Sequence, residues 1–168
     1  MSSKRRVMTH TGYSLAATVI VGLVSSPAQA GGQHNHSRWT TAETIPALNS
    51  PAGDGCPIES EDGLSIFIAS ARDGTFGAND VWAADRDSID SPWGEVRNLG
   101  EPVNTMWADF CPTPVMGRSL FFVSERPGDG TGPTPCGGGD MYLSRQSPAG
   151  GWSAPEMLKC APEGPNTA

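Results

Sequence analysis

Histidine, cysteine and aspartate are the residues of this sequence best suited to chemistry, and their positions limit what that chemistry can be. The three histidines, His10, His34 and His36, all precede the tryptophan-rich part of the chain. If the chain is cut after Ala30, His34 and His36 flank Asn35 near a free amine. Imidazole and amine nitrogens suit Cu(II) or Ni(II), so His34 and His36 are the metal-ligand candidates. The amino-terminal copper motif needs histidine at the third position, whereas His34 would stand fourth, so a solvated, flexible leader is the expectation. With no histidine after position 36, neither a Ser-His-Asp nor a Cys-His arrangement can be assembled in the rest of the chain.

Carboxylates remain. Asp62, Asp80, Asp109 and Asp140 fall at expected strand ends or loops, where a pair of acids can serve glycoside hydrolysis. Asp80 and Asp140 follow glycine-rich loops, which would suit calcium, a cation that takes oxygen ligands. No D-x-D-x-D-G cluster is present, so the expected role of each is to accept loop N–H groups or to pair with Arg72 or Arg126. Trp82 and Tyr142 have the shape to stack on sugars, but they recur at matched positions, which favours core packing. Asp80, Asp140, Trp82 and Tyr142 are therefore the binding candidates, no catalytic residue is assigned, and no resident cofactor is expected.

The ends and the charge set the context. Lys4, Arg5 and Arg6 precede an apolar run from Ser14 to Val24, and Ala28-Gln29-Ala30 follows as a small-x-small cleavage site. That order is the pattern of a secretory signal peptide over residues 1–30, and the run is too short for a stable membrane span. Residues 31–38 then read as a leader. Cleavage removes three of the 11 basic residues and none of the 18 acidic ones, so the net charge goes from −7 to −10. A surface that acidic disfavours nucleic acid and anionic lipid as partners. All four cysteines lie beyond the cleavage site, and an even count in an exported chain favours disulfides in an extracytoplasmic compartment.

The elements that position these residues come from an internal repeat. Cys56-Pro57 recurs as Cys111-Pro112, Phe67 as Phe121, Ser70 as Ser124 and Arg72 as Arg126. Asp80-Val81-Trp82 recurs as Asp140-Met141-Tyr142, Trp93 as Trp152, and Asn104-Thr105 as Asn166-Thr167. The units run over about 56–105 and 111–167, within a domain from Trp39 to the end, and a partial copy opens at Trp39. With 21 Gly and 15 Pro, long helices are disfavoured and short strands joined by turns are expected. Each unit predicts four strands. The first follows Cys-Pro, the second is Leu64–Ser70, the third Asp80–Asp85, and the fourth runs from Trp93 to Leu99-Gly100. Ile66 and Ile68 should face one side, and Phe67 and Ala69 the other.

On these motifs the chain resembles the TolB-type, WD40-like β-propeller repeats (PD40-type) of exported bacterial proteins. PIESEDGLSIFIASARDG, GANDVW and WGEVRNLGEPVNT carry the resemblance, and PTPVMGRSLFFVSERPG, GGGDMY and WSAPEMLKCAPEGPNT carry it again. The resemblance implies an all-β propeller fragment of about two four-stranded antiparallel blades plus one extra strand. Its relatives usually have six or more blades, so a piece of a larger ring is expected, with closure by several copies as the other route. It also implies an exported, non-catalytic surface that binds a protein partner or a cell-envelope glycan. The competing reading is a carbohydrate-active propeller. Ser88–Trp93 is similar to a sialidase Asp-box, though Pro stands in place of its Gly. Blade geometry places the loops holding Cys136 and Cys160 on one side, which predicts a disulfide between them. Cys56 and Cys111 take the same place on successive blades, where distance argues against a bridge, so their pairing stays open.

Overall fold

The computed structural model describes residues 41–116, 118–128 and 134–166. The expected signal peptide, the leader with His34 and His36, and Trp39 lie outside them.

The described chain is all-β, and no helix occurs among the described residues. Eight strands form two four-stranded antiparallel sheets. The first sheet holds β1 (Asp54–Glu59), β2 (Ser65–Ser70), β3 (Asp80–Asp85) and β4 (Arg97–Asn98), paired in chain order. The second holds β5 (Asp109–Val115), β6 (Ser119–Ser124), β7 (Asp140–Arg145) and β8 (Glu156–Met157), paired likewise. The registers repeat: Ser70 lies opposite Asp80 and Ile68 opposite Trp82, as Ser124 lies opposite Asp140 and Phe122 opposite Tyr142.

Local sequence explains the elements. Ile66, Phe67 and Ile68 are branched or aromatic and fit a pleated, buried surface. Gly63, at φ 69°, closes the β1–β2 turn through its N–H to the Ser60 carbonyl, a conformation that a Cβ resists. Alternation along the strands then divides the apolar side chains. Phe67, Val81 and Ala83 meet Leu120, Phe122 and Tyr142 of the other sheet, with Val103 of the connecting segment completely buried among them. Ile66, Ile68, Trp82 and Ala84 form a second cluster on the opposite face of the first sheet, joined by Leu48.

The expected extra strand opens at Trp39, outside the described residues, and 41–53 contain a turn in which Ile45 accepts the N–H groups of Leu48 and Asn49. Two expectations about strands are corrected. The first strand of each unit begins two residues before Cys-Pro, because a bulge lets the ladder continue on both sides of that pair. The fourth strands are only two residues long. In the first sheet, Gly94 donates to the Asp85 carbonyl and draws the chain into a turn near Trp93.

Two disulfides are present, one joining the sheets and one within the second. Cys136 and Cys160 are bridged, with Cα atoms 5.7 Å apart. Cys56 and Cys111 are also bridged, at 5.0 Å, which corrects the expectation that distance stands against this pair. Each sits at the bulge of its first strand with φ 48°, and these two strands are neighbours, so equal places on successive sheets meet. Closing a 55-residue separation restricts the unfolded chain by about 4 kcal/mol on the loop-entropy account. Non-reducing peptide mapping is expected to recover Cys56–Cys111 and Cys136–Cys160. Replacing Cys56 and Cys111 together by serine should lower unfolding stability by roughly 3–4 kcal/mol in denaturant titration.

Candidate functional site

Antiparallel order brings the chemistry-bearing residues to one edge of both sheets. At this edge β1, β3, β5 and β7 begin and β2 and β6 end, so Asp54, Asp80, Asp109 and Asp140 share it with Ser70 and Ser124. The 71–79 and 99–108 segments cross the same edge.

The strongest polar cluster centres on Asp109, which is fully buried. Its Oδ1 accepts Arg126 Nη2 at 2.7 Å, and its Oδ2 accepts the Thr105 N–H at 2.7 Å and the Thr105 hydroxyl at 2.8 Å. Arg126 also donates from Nε to Ser124 Oγ at 2.7 Å, and from its Nη atoms to the Pro102 and Val103 carbonyls. Its guanidinium lies over the rings of Phe122 and Tyr142. One arginine therefore joins β5, β6, the segment between the sheets and the apolar core.

The first sheet repeats the clasp. Asp54 Oδ1 accepts Ser70 Oγ at 2.6 Å and Arg72 Nη2 at 2.8 Å, and its Oδ2 accepts the Ser50 N–H at 2.7 Å. Arg72 donates to Ser70 Oγ and to the Leu48 carbonyl, and lies over Trp82. Partial burial raises the Asp54 pKa, but hydrogen bonds from Ser70, the Ser50 N–H and Arg72 outweigh it and hold the carboxyl at about 2.

A second motif locks the segments after β4 and β8. Asn104, buried, accepts the Val81 N–H and donates to the Val81 carbonyl, both at 2.8 Å, as a strand neighbour would. It also donates to Asn98 Oδ1, and Asn98 in turn donates to Asp80 Oδ2 at 2.6 Å. In the second sheet Met157 pairs with Tyr142 where Asn98 pairs with Trp82. Without that relay, Asn166 donates directly to Asp140 Oδ1 at 2.8 Å.

The sequence candidates can now be placed. Asp80 and Asp140 are buried, and each accepts the N–H four residues before it, from Phe76 and Cys136. Neither takes Arg72 or Arg126, which corrects that alternative: those arginines pair with Asp54 and Asp109. Their hydrogen-bond partners are N–H donors, a set that suits a carboxylate and repels a cation. Asp80 Oδ1 has no protein partner among the described residues. Also among the described residues, no three His, Cys, Asp or Glu side chains come together as metal ligands. Trp82 and Tyr142 are buried in the two apolar clusters. Asp62 lies at the far edge, in the β1–β2 turn, where bonds from Ser60 and Leu64 lower its pKa. The Ser88–Trp93 segment, between β3 and β4, is also at that far edge.

Reading the residues singly missed Asp54 and the partnership of each clasp. The available signal was an aspartate two residues before Cys-Pro in both units, followed in both by Ser-x-Arg. Also missed was an apolar patch on the loop edge. Phe76, Met106 and Trp107 are exposed, at 53%, 75% and 44%. Gly77 brings their loops together: a Cβ there would come within 3 Å of the Met106 backbone.

The chain matches no protein-family model, no curated protein and no solved structure.

Removing the Asp109 carboxylate leaves Arg126, largely shielded from solvent, without its counter-charge, which costs about 3–5 kcal/mol. Asp109→Ala should show that loss in chemical denaturation, with Asp54→Ala losing less because Asp54 is nearer solvent. The Asp54 shift also sets a pH window. Its folded pKa is lowered from 3.8 to about 2, so its contribution is complete above pH 3.8 and disappears as pH falls toward 2. Asp54→Asn should flatten the stability–pH slope in that window.

Proposed function

We propose that this chain is an exported, non-catalytic pair of β-propeller blades whose loop edge presents a binding surface to a protein or an envelope glycan. The repeated Asp–Ser–Arg clasp is the observation that carries this reading. In each sheet it ties the segment preceding that sheet's first strand, through the Leu48 or Val103 carbonyl, by corresponding arginine bonds, which is how a repeated blade holds its loops at fixed positions. Three further features support it. Two four-stranded meanders with matching registers stack face to face, as radially packed blades do. The two disulfides fit an oxidising, extracytoplasmic environment. The loop edge offers apolar side chains, Phe76, Met106 and Trp107, and its strand-end carboxylates Asp54, Asp80, Asp109 and Asp140 each accept hydrogen bonds.

The carbohydrate-active alternative needs a loop-edge carboxylate free to protonate or attack. Glycan-array binding and a hydrolase assay on the full-length protein separate the two. The expected result is no glycan turnover, with any glycan or protein binding weakened at least tenfold by Trp107→Ala while the melting temperature is unchanged. Turnover abolished by a single Asp→Asn substitution at the loop edge would overturn the proposal.

A further inference from the structure

The apolar interface between the two sheets is built from two unlike halves, one from each sheet. The first sheet contributes Phe67, Val81 and Ala83, and the second contributes Leu120, Phe122 and Tyr142, with Val103 between them. By the repeat, each sheet also carries the other half on its remaining face. The counterparts of Phe67, Val81 and Ala83 in the second sheet are Phe121, Met141 and Leu143. The counterparts of Leu120, Phe122 and Tyr142 in the first sheet are Ile66, Ile68 and Trp82. Leu48 corresponds to Val103: their carbonyls accept Arg72 and Arg126 in the two clasps.

Of the two remaining faces, the one on the second sheet is the less covered at Phe121 and Met141, while Leu143, and Ile66, Ile68 and Trp82 on the first sheet, are buried. Phe67 and Val81 are buried, whereas Phe121 and Met141 are only half-buried. On the first sheet a groove of about 350 Å³ lies beside Ile66 and Ile68, bordered by Ile45, Leu48 and Pro57. At the corresponding place in the formed interface, Phe67 packs in the cluster with Leu120 and Phe122. The groove therefore stands where the side chain corresponding to Phe67, which is Phe121, would enter from a second copy.

We infer that copies of this chain associate head to tail, the Phe121–Met141–Leu143 face of one seated on the Ile66–Ile68–Leu48 face of the next. The contact is heterologous, so it closes into a ring or extends, and it does not stop at a two-fold dimer. The inference rests on reading the sheets as blades. Its test measures assembly and not turnover, so the two readings fail separately.

The experiment is sedimentation or light scattering of the full-length chain across a concentration series. The wild type should rise above monomer mass. Phe121→Asp and Ile45→Glu each block one half and should stay monomeric, with circular dichroism reporting a retained β fold. Ile45 is exposed at the groove rim, so that variant does not depend on a core change. Mixed one to one, the two variants should form dimers and nothing larger, because each retains the half that the other lacks. A control, Ile89→Asp, removes an exposed apolar residue from the far edge and should assemble as the wild type does. A wild type that remains monomeric throughout, or variants that assemble like it, would overturn the inference.

Discussion

Asp109 stands at the first residue of β5 with no exposure to solvent, and burying a carboxylate is costly unless its charge is paired and its oxygens are hydrogen-bonded. That requirement organises the loop edge of the second sheet. Arg126 supplies the charge, and Ser124 aligns the guanidinium at the end of β6. Thr105 supplies an N–H and a hydroxyl from the segment that leaves the first sheet. The arginine's remaining donors reach the carbonyls of Pro102 and Val103. Satisfying one acid thus holds the connection between the sheets in place, and Val103 at its end is driven into the core between them.

The same solution at Asp54 has a different cost. Asp54 is nearer water, and its partners lower its pKa, whereas Asp109 depends on one arginine in a dry setting. Solvent-exposed pairs such as Arg97–Asp85 and Arg145–Glu156 contribute far less, since water screens them and long side chains lose freedom in making them. The disulfides act at other places. Cys56–Cys111 joins the first strands of the two sheets, and Cys136–Cys160 closes the loop edge of the second. In the first sheet Phe76 stands where Cys136 stands in the second, four residues before the aspartate that accepts its N–H, and it is exposed. One sheet staples this loop; the other leaves an aromatic ring on it.

Much of the fold was readable from residues. The repeat placed β2, β3, β6 and β7 because their alternation and branched or aromatic side chains depend on neighbours one or two residues away. Ile66 and Ile68 do face away from Phe67. Features that depend on distant partners were harder to read. The Asp54 clasp spans 16 residues to Ser70, and no local pattern states which aspartate an arginine will choose. The Cys56–Cys111 pair required knowing that bulges bring two neighbouring first strands together. The short fourth strands reflect Gly94 and its turn near Trp93, a local signal outweighed in the reading by the aromatic beside it. The loop-edge patch became visible only when the close approach at Gly77 placed Phe76 beside Met106 and Trp107.

A double-mutant cycle on Asp109 and Arg126 tests the central role of the clasp most directly, using Asp109→Asn, Arg126→Met and the double variant in equilibrium unfolding. Residues that act as one unit show coupling of about 0.5–3 kcal/mol, whereas independent sites add to within about 0.5 kcal/mol. Here the coupling should lie at the upper end, about 2 kcal/mol or more, with the parallel cycle on Asp85 and Arg97 near zero. Additivity at Asp109 and Arg126, or equal coupling in both cycles, would contradict the account.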